Sequence, residues 1–365
     1  MFPLLPLQFI LPVHRCKALC YAVFMLNIEA TPEVTAYLKR CRRNLTDSRK
    51  NAFVGRRISP AGEHRVQKAM AKAGFAEFAG PEAEWPSLYL SAAGWMRSPY
   101  HAHIRLDGIR DGHFSYKTVD LEAYELFNAD AVQPDPKREL NDWMKLRALD
   151  APCPAIFLSQ DGEPWMMDAP SEAATNDVPA RNVHGRVLTF GLGIGYFVYM
   201  AMQNPAVTAV TVVEKSADVI AMFNRFLKPQ FPDRIPLNLI EADAFAQWQP
   251  DVLAAYDYVY ADIWRSSEDG LEIITRLLEQ SCPPKEKADF WIESSCMETM
   301  WALVYLYLDG LVSGHPSAVQ PQYQRYQKKI SAWFAASTET VHDPKRLAEL
   351  IYDPETLRRI LALPL

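Results

Sequence analysis

The stretch Val187–Met202, VLTFGLGIGYFVYMAM, constrains the fold of this chain more than any other. Three glycines at every second position, Gly191, Gly193 and Gly195, stand between two apolar runs. Glycine lets the backbone approach a ligand closely, and the free N–H groups in the first turn of a following helix attract oxygen atoms. The pattern therefore predicts a nucleotide-binding turn between a strand and a helix over Ile194–Gln203.

The spacing of the glycines bears on the class of nucleotide. A dinucleotide site of the NAD type needs GxGxxG after its strand, but Tyr196 follows Gly195 and the spacing here is GxGxG. The motif is therefore a poor match to an NAD site.

Strands and helices alternate along the chain after Pro179. The predicted strands are Arg186–Gly191, Val207–Glu214, Ile235–Asp243, Tyr256–Asp262 and Ala288–Ser295, and the predicted helices include Ser216–Leu227, capped by Ser216, and Glu268–Ser281. Nearly continuous apolar strands between helices are typical of a parallel sheet covered on both faces. We predict an α/β fold: a Rossmann-like doubly wound parallel sheet with an N-terminal α+β region and a helical C-terminal extension.

A chain of 365 residues suits two domains, or one domain with sizeable extensions. We predict that residues 1–24 are a disordered extension or the product of a mis-assigned start. The rest of the chain is predicted to form an α+β region over 25–150, the ligand-binding domain over 151–296 and a helical extension over 297–365. The apolar part of the first segment is broken by Pro3, Pro6 and Pro12, so that a membrane anchor is the lesser alternative.

The N-terminal region has its own pattern of predicted elements. Residues 25–75 read as helical, with Ser59 as a cap and Gly74 just past a helix end. Further predictions are strands between residues 86 and 133, including His101–Leu106 and a hairpin at Asp111–Gly112, a helix over Asp135–Leu149 and a hairpin about Asp161–Gly162.

Acidic residues end three consecutive predicted strands, namely Glu214, Asp243 and Asp262. The carboxyl ends of parallel strands meet at one edge, so the three acids and the glycines outline one crevice. A carboxylate at Glu214 can accept hydrogen bonds from both hydroxyls of a ribose, and Asp243 with the backbone amide of Ala244 can meet an adenine. The structural alternative is that each acid only caps the helix that follows it.

This order of motifs resembles the class I S-adenosylmethionine-dependent methyltransferases, and within them the spermidine synthases. VLTFGLGIGY is similar to their first strand and turn, and VTVVEKSADVI to their second strand and helix. The segment that begins MMDAPSEAATNDVPARNVHG is also similar to uncharacterised bacterial and phage methyltransferase-like proteins. The resemblance covers roughly residues 155–295.

The resemblance implies roles for individual residues and a cofactor, S-adenosylmethionine. It assigns the glycines to the methionine and ribose side of the cofactor, Glu214 to the ribose and Asp243 to the adenine. It places Asp262 beside the transferred group, where this residue orients the acceptor or takes its proton. The implied enzyme is a methyltransferase with a small-molecule acceptor. An aminopropyltransferase or an inactive methyltransferase-like scaffold remains as an alternative.

Two positions depart from the family pattern. The methyltransferases carry an acid two residues before the first glycine, where this chain has Thr189. We expect Asp168 or Glu172, upstream of the strand, to take over its role in holding the cofactor. Arg265, three residues after Asp262, stands where aminopropyltransferases have a second acid, and its charge favours a carboxylate or phosphate acceptor over a polyamine.

The net charge, the cysteines and a few single residues indicate which kinds of partner and compartment to expect. The net charge of −6 argues against a nucleic-acid groove, and the six scattered cysteines indicate a reducing cytoplasm. We expect no nucleic-acid or membrane partner and no metal site. The N-terminal region is expected to supply either a lid or the surface of a homodimer. His101 and His103 share a predicted strand face without a third ligand, and Cys296 reads as a packed cysteine. Trp264 is expected either to stack on an acceptor or to cover the sheet.

Overall fold

A computed structural model describes residues 26–364 of the chain. The strands are β1 (Asn27–Ile28), β2 (Tyr89–Leu90), β3 (Arg110–Asp111), β4 (Phe114–Leu121), β5 (Phe127–Asn128), β6 (Leu146–Leu149), β7 (Cys153–Gln160), β8 (Glu163–Asp168), β9 (Gly185–Phe190), β10 (Val207–Glu214), β11 (Leu237–Glu241), β12 (Tyr258–Ala261), β13 (Ala288–Phe290) and β14 (Thr340–Val341). The predicted extension over residues 1–24, with Cys16 and Cys20, lies outside the described residues.

The helices alternate with strands in the centre of the chain and dominate its C-terminal end. They are α1 (Pro32–Leu45), α2 (Glu63–Ala73), α3 (Ala92–Trp95), α4 (Pro99–His103), α5 (Pro170–Asn182), α6 (Tyr196–Gln203), α7 (Ala217–Met222), α8 (Ala244–Gln247), α9 (Pro250–Ala254), α10 (Ser267–Gln280), α11 (Glu293–Ser313), α12 (Gln324–Ala335), α13 (Pro344–Tyr352) and α14 (Pro354–Ala362). A π-helical turn, Phe223–Leu227, continues α7. Within residues 26–364, no helix is both long enough and apolar enough to cross a lipid bilayer.

A five-stranded parallel sheet forms the centre of the molecule, in the order β11-β10-β9-β12-β13. The chain moves outward from β9 to β11, then returns to the other side of β9 for β12 and β13. The strand order therefore reverses between β9 and β12, and in open α/β sheets ligands bind outside the carboxyl ends of the strands at this point.

Helices cover both faces of this sheet. On one face the ring of Phe197 from α6 stacks on that of Tyr260 at 3.9 Å, and the Tyr260 hydroxyl donates to Asn176 of α5. On the other face the buried Trp248 packs against Phe190 and Phe290, with its indole N–H donating to a carbonyl beyond the end of α10. The prediction of an α/β fold with a parallel sheet between two layers of helices is thus confirmed.

The N-terminal part forms a three-stranded sheet in the order β2-β6-β5 and a four-stranded antiparallel sheet in the order β3-β4-β7-β8. The β3–β4 and β7–β8 hairpins turn where the sequence predicts, and α2 ends at Gly74 in the left-handed conformation. Ser59, the predicted cap, precedes a 3-10 turn, Pro60–Gly62, and its hydroxyl makes no capping bond.

Two predicted elements of this region are wrong. The first half of the predicted strand His101–Leu106 belongs to helix α4, which begins at Pro99, and the second half is irregular. The predicted helix Asp135–Leu149 is irregular chain followed by strand β6. Its carbonyls are used elsewhere, since the buried ammonium of Lys50 donates to Asn141 O at 2.6 Å and to Asp142 O at 2.8 Å. Long-range partners therefore override the local helical pattern.

The C-terminal part is helical, as predicted, except that β14 pairs with β1 in parallel. Strand β13 ends at Phe290 rather than continuing to Ser295, because Ile292 takes a left-handed conformation and α11 begins. The fully buried Lys329 of α12 connects α10 with the end of α14: its ammonium donates to Glu279 at 2.6 Å and to the carbonyls of Leu361 and Leu363.

Candidate ligand site at the strand ends

The ends of β9 and β12 approach each other closely at the point where the strand order reverses. Gly191 has φ +94°, and a Cβ atom there would lie 2.1 Å from the carbonyl oxygen of Asp262. Backbone hydrogen bonds hold both segments, from Gly191 N to Val213 O and from Asp262 N to Phe190 O, each 2.9 Å long. Only glycine fits at this position, and its small size allows the ends of β9 and β12 to lie in contact.

The glycine turn is supported from the N-terminal region. The buried hydroxyl of Tyr100, on α4, donates to Ile194 O at 2.6 Å, and a Cβ atom at Gly193 would lie 2.6 Å from the Met166 methyl of β8. Gly195, at φ +76°, forms the N-cap of α6. Strand β8 and helix α4 therefore form one wall beside the predicted ligand turn, a role that no sequence spacing signalled.

Glu214 lies at the end of β10 and contacts the turn directly. Its carboxylate accepts hydrogen bonds from the backbone amides of Leu192 at 3.1 Å and Ser216 at 2.8 Å. A carboxylate has about four acceptor positions, so that these two bonds leave capacity for further donors. The geometry fixes Glu214 beside the glycines, and its predicted contact with a ribose stays a prediction.

Asp243 and Ala244 lie at the end of β11, where α8 begins. Asp243 is the N-cap of α8, accepting from Phe245 N at 2.8 Å, and its other oxygen lies 3.6 Å from the ammonium of the exposed Lys215. Ala244 is buried in the first turn. The structural alternative, a capping role, thus applies to Asp243, and its predicted contact with an adenine stays a prediction.

Two carboxyl groups, Glu172 and Asp262, interact electrostatically beside the turn. Burial, and then the charge of Asp168, raise the pKa of Glu172 to about 7. Burial and the neighbouring Glu172 raise the pKa of Asp262 well above its ordinary range. Like charges held together in a poorly solvated site favour a bound cation, because a cation removes the mutual repulsion.

Asp168, the other upstream acid, has a partner of its own. Both of its oxygens lie within 3.0 Å of His101 Nε2, and both side chains are buried. Glu172 is therefore the freer of the two acids that were expected to compensate for Thr189. Thr189 itself is buried in β9 beside Val212 and Tyr260, on the sheet face that α6 covers.

The two histidines that were expected to share a strand face make separate contacts. His101 contacts Asp168, whereas His103 Nδ1 donates to Pro99 O at 2.8 Å within α4. In the part of the chain that the structure describes, no group of three or more His, Cys, Asp or Glu side chains is placed to hold a metal ion.

The other candidates lie around α10. Cys296 is buried against Gly270, and Trp264 is buried beside the same glycine, so Trp264 covers the sheet rather than standing open to an acceptor. Arg265 is exposed, and its backbone amide donates to Asp269. One surface depression lies at the opposite, amino end of the strands, between Lys228 and Leu237, and does not include these residues.

Comparisons with known proteins find only distant structural similarity. No protein-family model and no curated protein matches it. Among solved structures, a probable spermidine synthase from Corynebacterium glutamicum ATCC 13032 is 15% identical, covering 36% of this chain and 53% of that chain at a TM-score of 0.26. A SAM dependent methyltransferase from Archaeoglobus fulgidus is 18% identical, covering 42% and 62% at a TM-score of 0.20.

A dehydrogenase also matches: shikimate dehydrogenase from Mycobacterium tuberculosis is 14% identical, covering 40% of this chain and 57% of that chain at a TM-score of 0.21. This chain spans less than two thirds of each of these three structures. Similarity at this level does not distinguish a transferase from a dehydrogenase, so the functional argument rests on the site.

Proposed function

We propose that the chain binds S-adenosylmethionine at the carboxyl ends of β9, β10, β11 and β12 and transfers its methyl group to a small-molecule acceptor. The observation that carries this proposal is the close approach of Gly191 to Asp262 at the reversal of strand order, with Glu214 fixed beside the same turn. This arrangement brings a glycine turn and carboxylates together at one edge of the sheet.

The residues present fit this cofactor. Gly191 and Gly193 let the backbone of the turn contact Asp262 and Met166 closely, and the carboxylates beside the turn suit a ligand that carries both hydroxyls and positive charge. Glu214 would hold the ribose, Asp243 and Ala244 the adenine, and Glu172 the cationic methionine end. Bound there, the cofactor supplies a methyl group activated by its sulfonium charge.

Asp262 would act on the acceptor rather than on the cofactor. Its surroundings raise its pKa, and a cationic ligand bound beside it would favour the ionised form, which can accept a proton from the acceptor. The rest of the contribution is positioning, since a transfer of this kind depends on holding the two reactants in line.

Aminopropyl transfer from decarboxylated S-adenosylmethionine is a second candidate. The pair Glu172 and Asp262 supports it, because two carboxyl groups in a poorly solvated site favour a polyamine as well as a sulfonium. The exposed Arg265 stands against it, since a cation repels a polyamine. The two candidates differ in the cofactor that they require.

A thermal-shift panel tests the proposal and separates the candidates. Its ligands are S-adenosylmethionine, S-adenosylhomocysteine, decarboxylated S-adenosylmethionine, methylthioadenosine and NAD. A ligand at a hundred times its dissociation constant stabilises the folded protein by about 2.7 kcal/mol, which a melting curve resolves. We expect S-adenosylmethionine to raise the melting temperature. Preference for the decarboxylated form would support the second candidate.

Two variants control the panel. Glu214→Ala is expected to lose the response, whereas Asp251→Ala, which removes an exposed acid in α9, should keep it. No shift with any adenosyl compound would leave only a methyltransferase-like scaffold, and a shift with NAD alone would overturn the cofactor assignment.

A further inference from the structure

A second group of reactive side chains lies on α4 and β8, the elements that form the wall beside the glycine turn. The Ser98 hydroxyl lies 2.5 Å from His101 Nδ1, and His101 Nε2 lies 2.9 Å and 3.0 Å from the oxygens of Asp168. Ser98 is partly exposed, whereas the side chains of His101 and Asp168 are buried. This geometry is typical of a nucleophile, a base and a residue that orients the base, and it does not depend on their order in the chain.

The carboxylate fixes the protonation of the neutral imidazole. A carboxylate only accepts hydrogen bonds, so Nε2 carries the proton and Nδ1 is left as the acceptor for the Ser98 hydroxyl. Ser98 begins α4, yet its hydroxyl does not cap the helix. The hydroxyl is therefore directed at a base rather than at the backbone.

A free donor lies next to this base. The ring of Trp95 lies 4.1 Å from that of His101, and its indole N–H is buried with no hydrogen-bond partner among the described residues. A buried unpaired donor costs free energy, so a carbonyl oxygen that reached it would gain a hydrogen bond without displacing another.

We propose that Ser98, His101 and Asp168 form a second active site, which hydrolyses small carboxylic esters independently of the strand-end site. The Ser98 oxygen attacks the ester carbonyl carbon while its proton passes to His101 Nδ1. The bond to the alcohol breaks, and the alcohol leaves with that proton. Water then cleaves the acyl-serine, releasing the carboxylic acid and restoring the hydroxyl. Asp168 acts as a positioning residue, and Trp95 donates to the carbonyl oxygen.

A fluorophosphonate probe tests the proposal on the full chain without any adenosyl ligand. Attack by Ser98 forms an O–P bond and expels fluoride, so intact mass shows one adduct and peptide mapping places it at Ser98. Ser98→Ala should abolish labelling. Ser91→Ala should not, because Ser91 is the N-cap of the neighbouring helix α3 and its hydroxyl accepts from the Gly94 amide.

The positioning role of Asp168 has a separate readout. Asp168→Asn should slow labelling by up to about 10⁴-fold through the wrong imidazole tautomer, and its remaining rate should increase with pH more steeply than in the wild type. No adduct, an adduct on another serine, or equal labelling of a folded His101→Gln variant would overturn the proposal. Because labelling needs no adenosyl ligand, these results are independent of whether S-adenosylmethionine binds.

Discussion

The substitution Gly191→Ala tests the close contact on which the strand-end site depends. Its cost has two parts. An L-residue at φ +94° is strained by about 1–2 kcal/mol. The new methyl group would lie 2.1 Å from the Asp262 carbonyl oxygen, and backbone hydrogen bonds hold both segments, so that the overlap adds about 1–3 kcal/mol. We expect a total loss of about 2–5 kcal/mol in the free energy of unfolding.

Gly108→Ala is the matched control. Gly108 has φ +78°, but a Cβ atom there would meet no atom within 4 Å, so only the strain of about 1–2 kcal/mol is expected. Urea unfolding followed by circular dichroism and tryptophan fluorescence measures both variants. Equal losses for the two variants would refute the argument that the ends of β9 and β12 are in forced contact.

Three further predictions concern pH, the C-terminal end and the support of the turn. The pKa of Glu172, raised from 4.5 to about 7, means that the folded protein loses stability as the pH rises between these values. Glu172→Gln should remove this loss, of up to about 3 kcal/mol, in urea titrations at pH 4.5 and pH 8. Lys329→Met should cost about 3–5 kcal/mol and speed amide exchange at the C-terminal end, whereas the exposed Lys345→Met should cost at most about 1 kcal/mol. Tyr100→Phe should cost about 1–3 kcal/mol in chemical unfolding by leaving a buried carbonyl unpaired, and Tyr116→Phe, whose hydroxyl has no partner among the described residues, should cost nothing.

The central sheet could be predicted because its signal is local. Most of its strands are nearly continuous apolar runs, and Ser216 caps the helix after β10 as expected, accepting from Val219 N at 3.3 Å. Helix α4 had a local signal too, since Ser98 and Pro99 form a typical helix start, but the alternating residues that follow favoured a strand.

Other features depend on contacts between distant parts of the chain. His101 and Asp168 are 67 residues apart, and Tyr100 is 94 residues from Ile194. No spacing rule links such pairs, so the sequence could name Asp168 as a candidate but not reveal its partner. The irregular segment before β6 has the same origin, because Lys50, which donates to the Asn141 carbonyl of this segment, lies 91 residues earlier in the chain.

Hydrogen–deuterium exchange with and without S-adenosylmethionine tests the central claim most directly, because it shows both whether the ligand binds and where. Bound ligand should slow amide exchange in the turn Gly191–Tyr196, at Glu214–Ser216 and at Asp243–Phe245, while the β4 segment Lys117–Asp120 remains unchanged. Unchanged exchange at saturating ligand, or protection confined to the Lys228–Leu237 depression, would contradict a cofactor site at the strand ends.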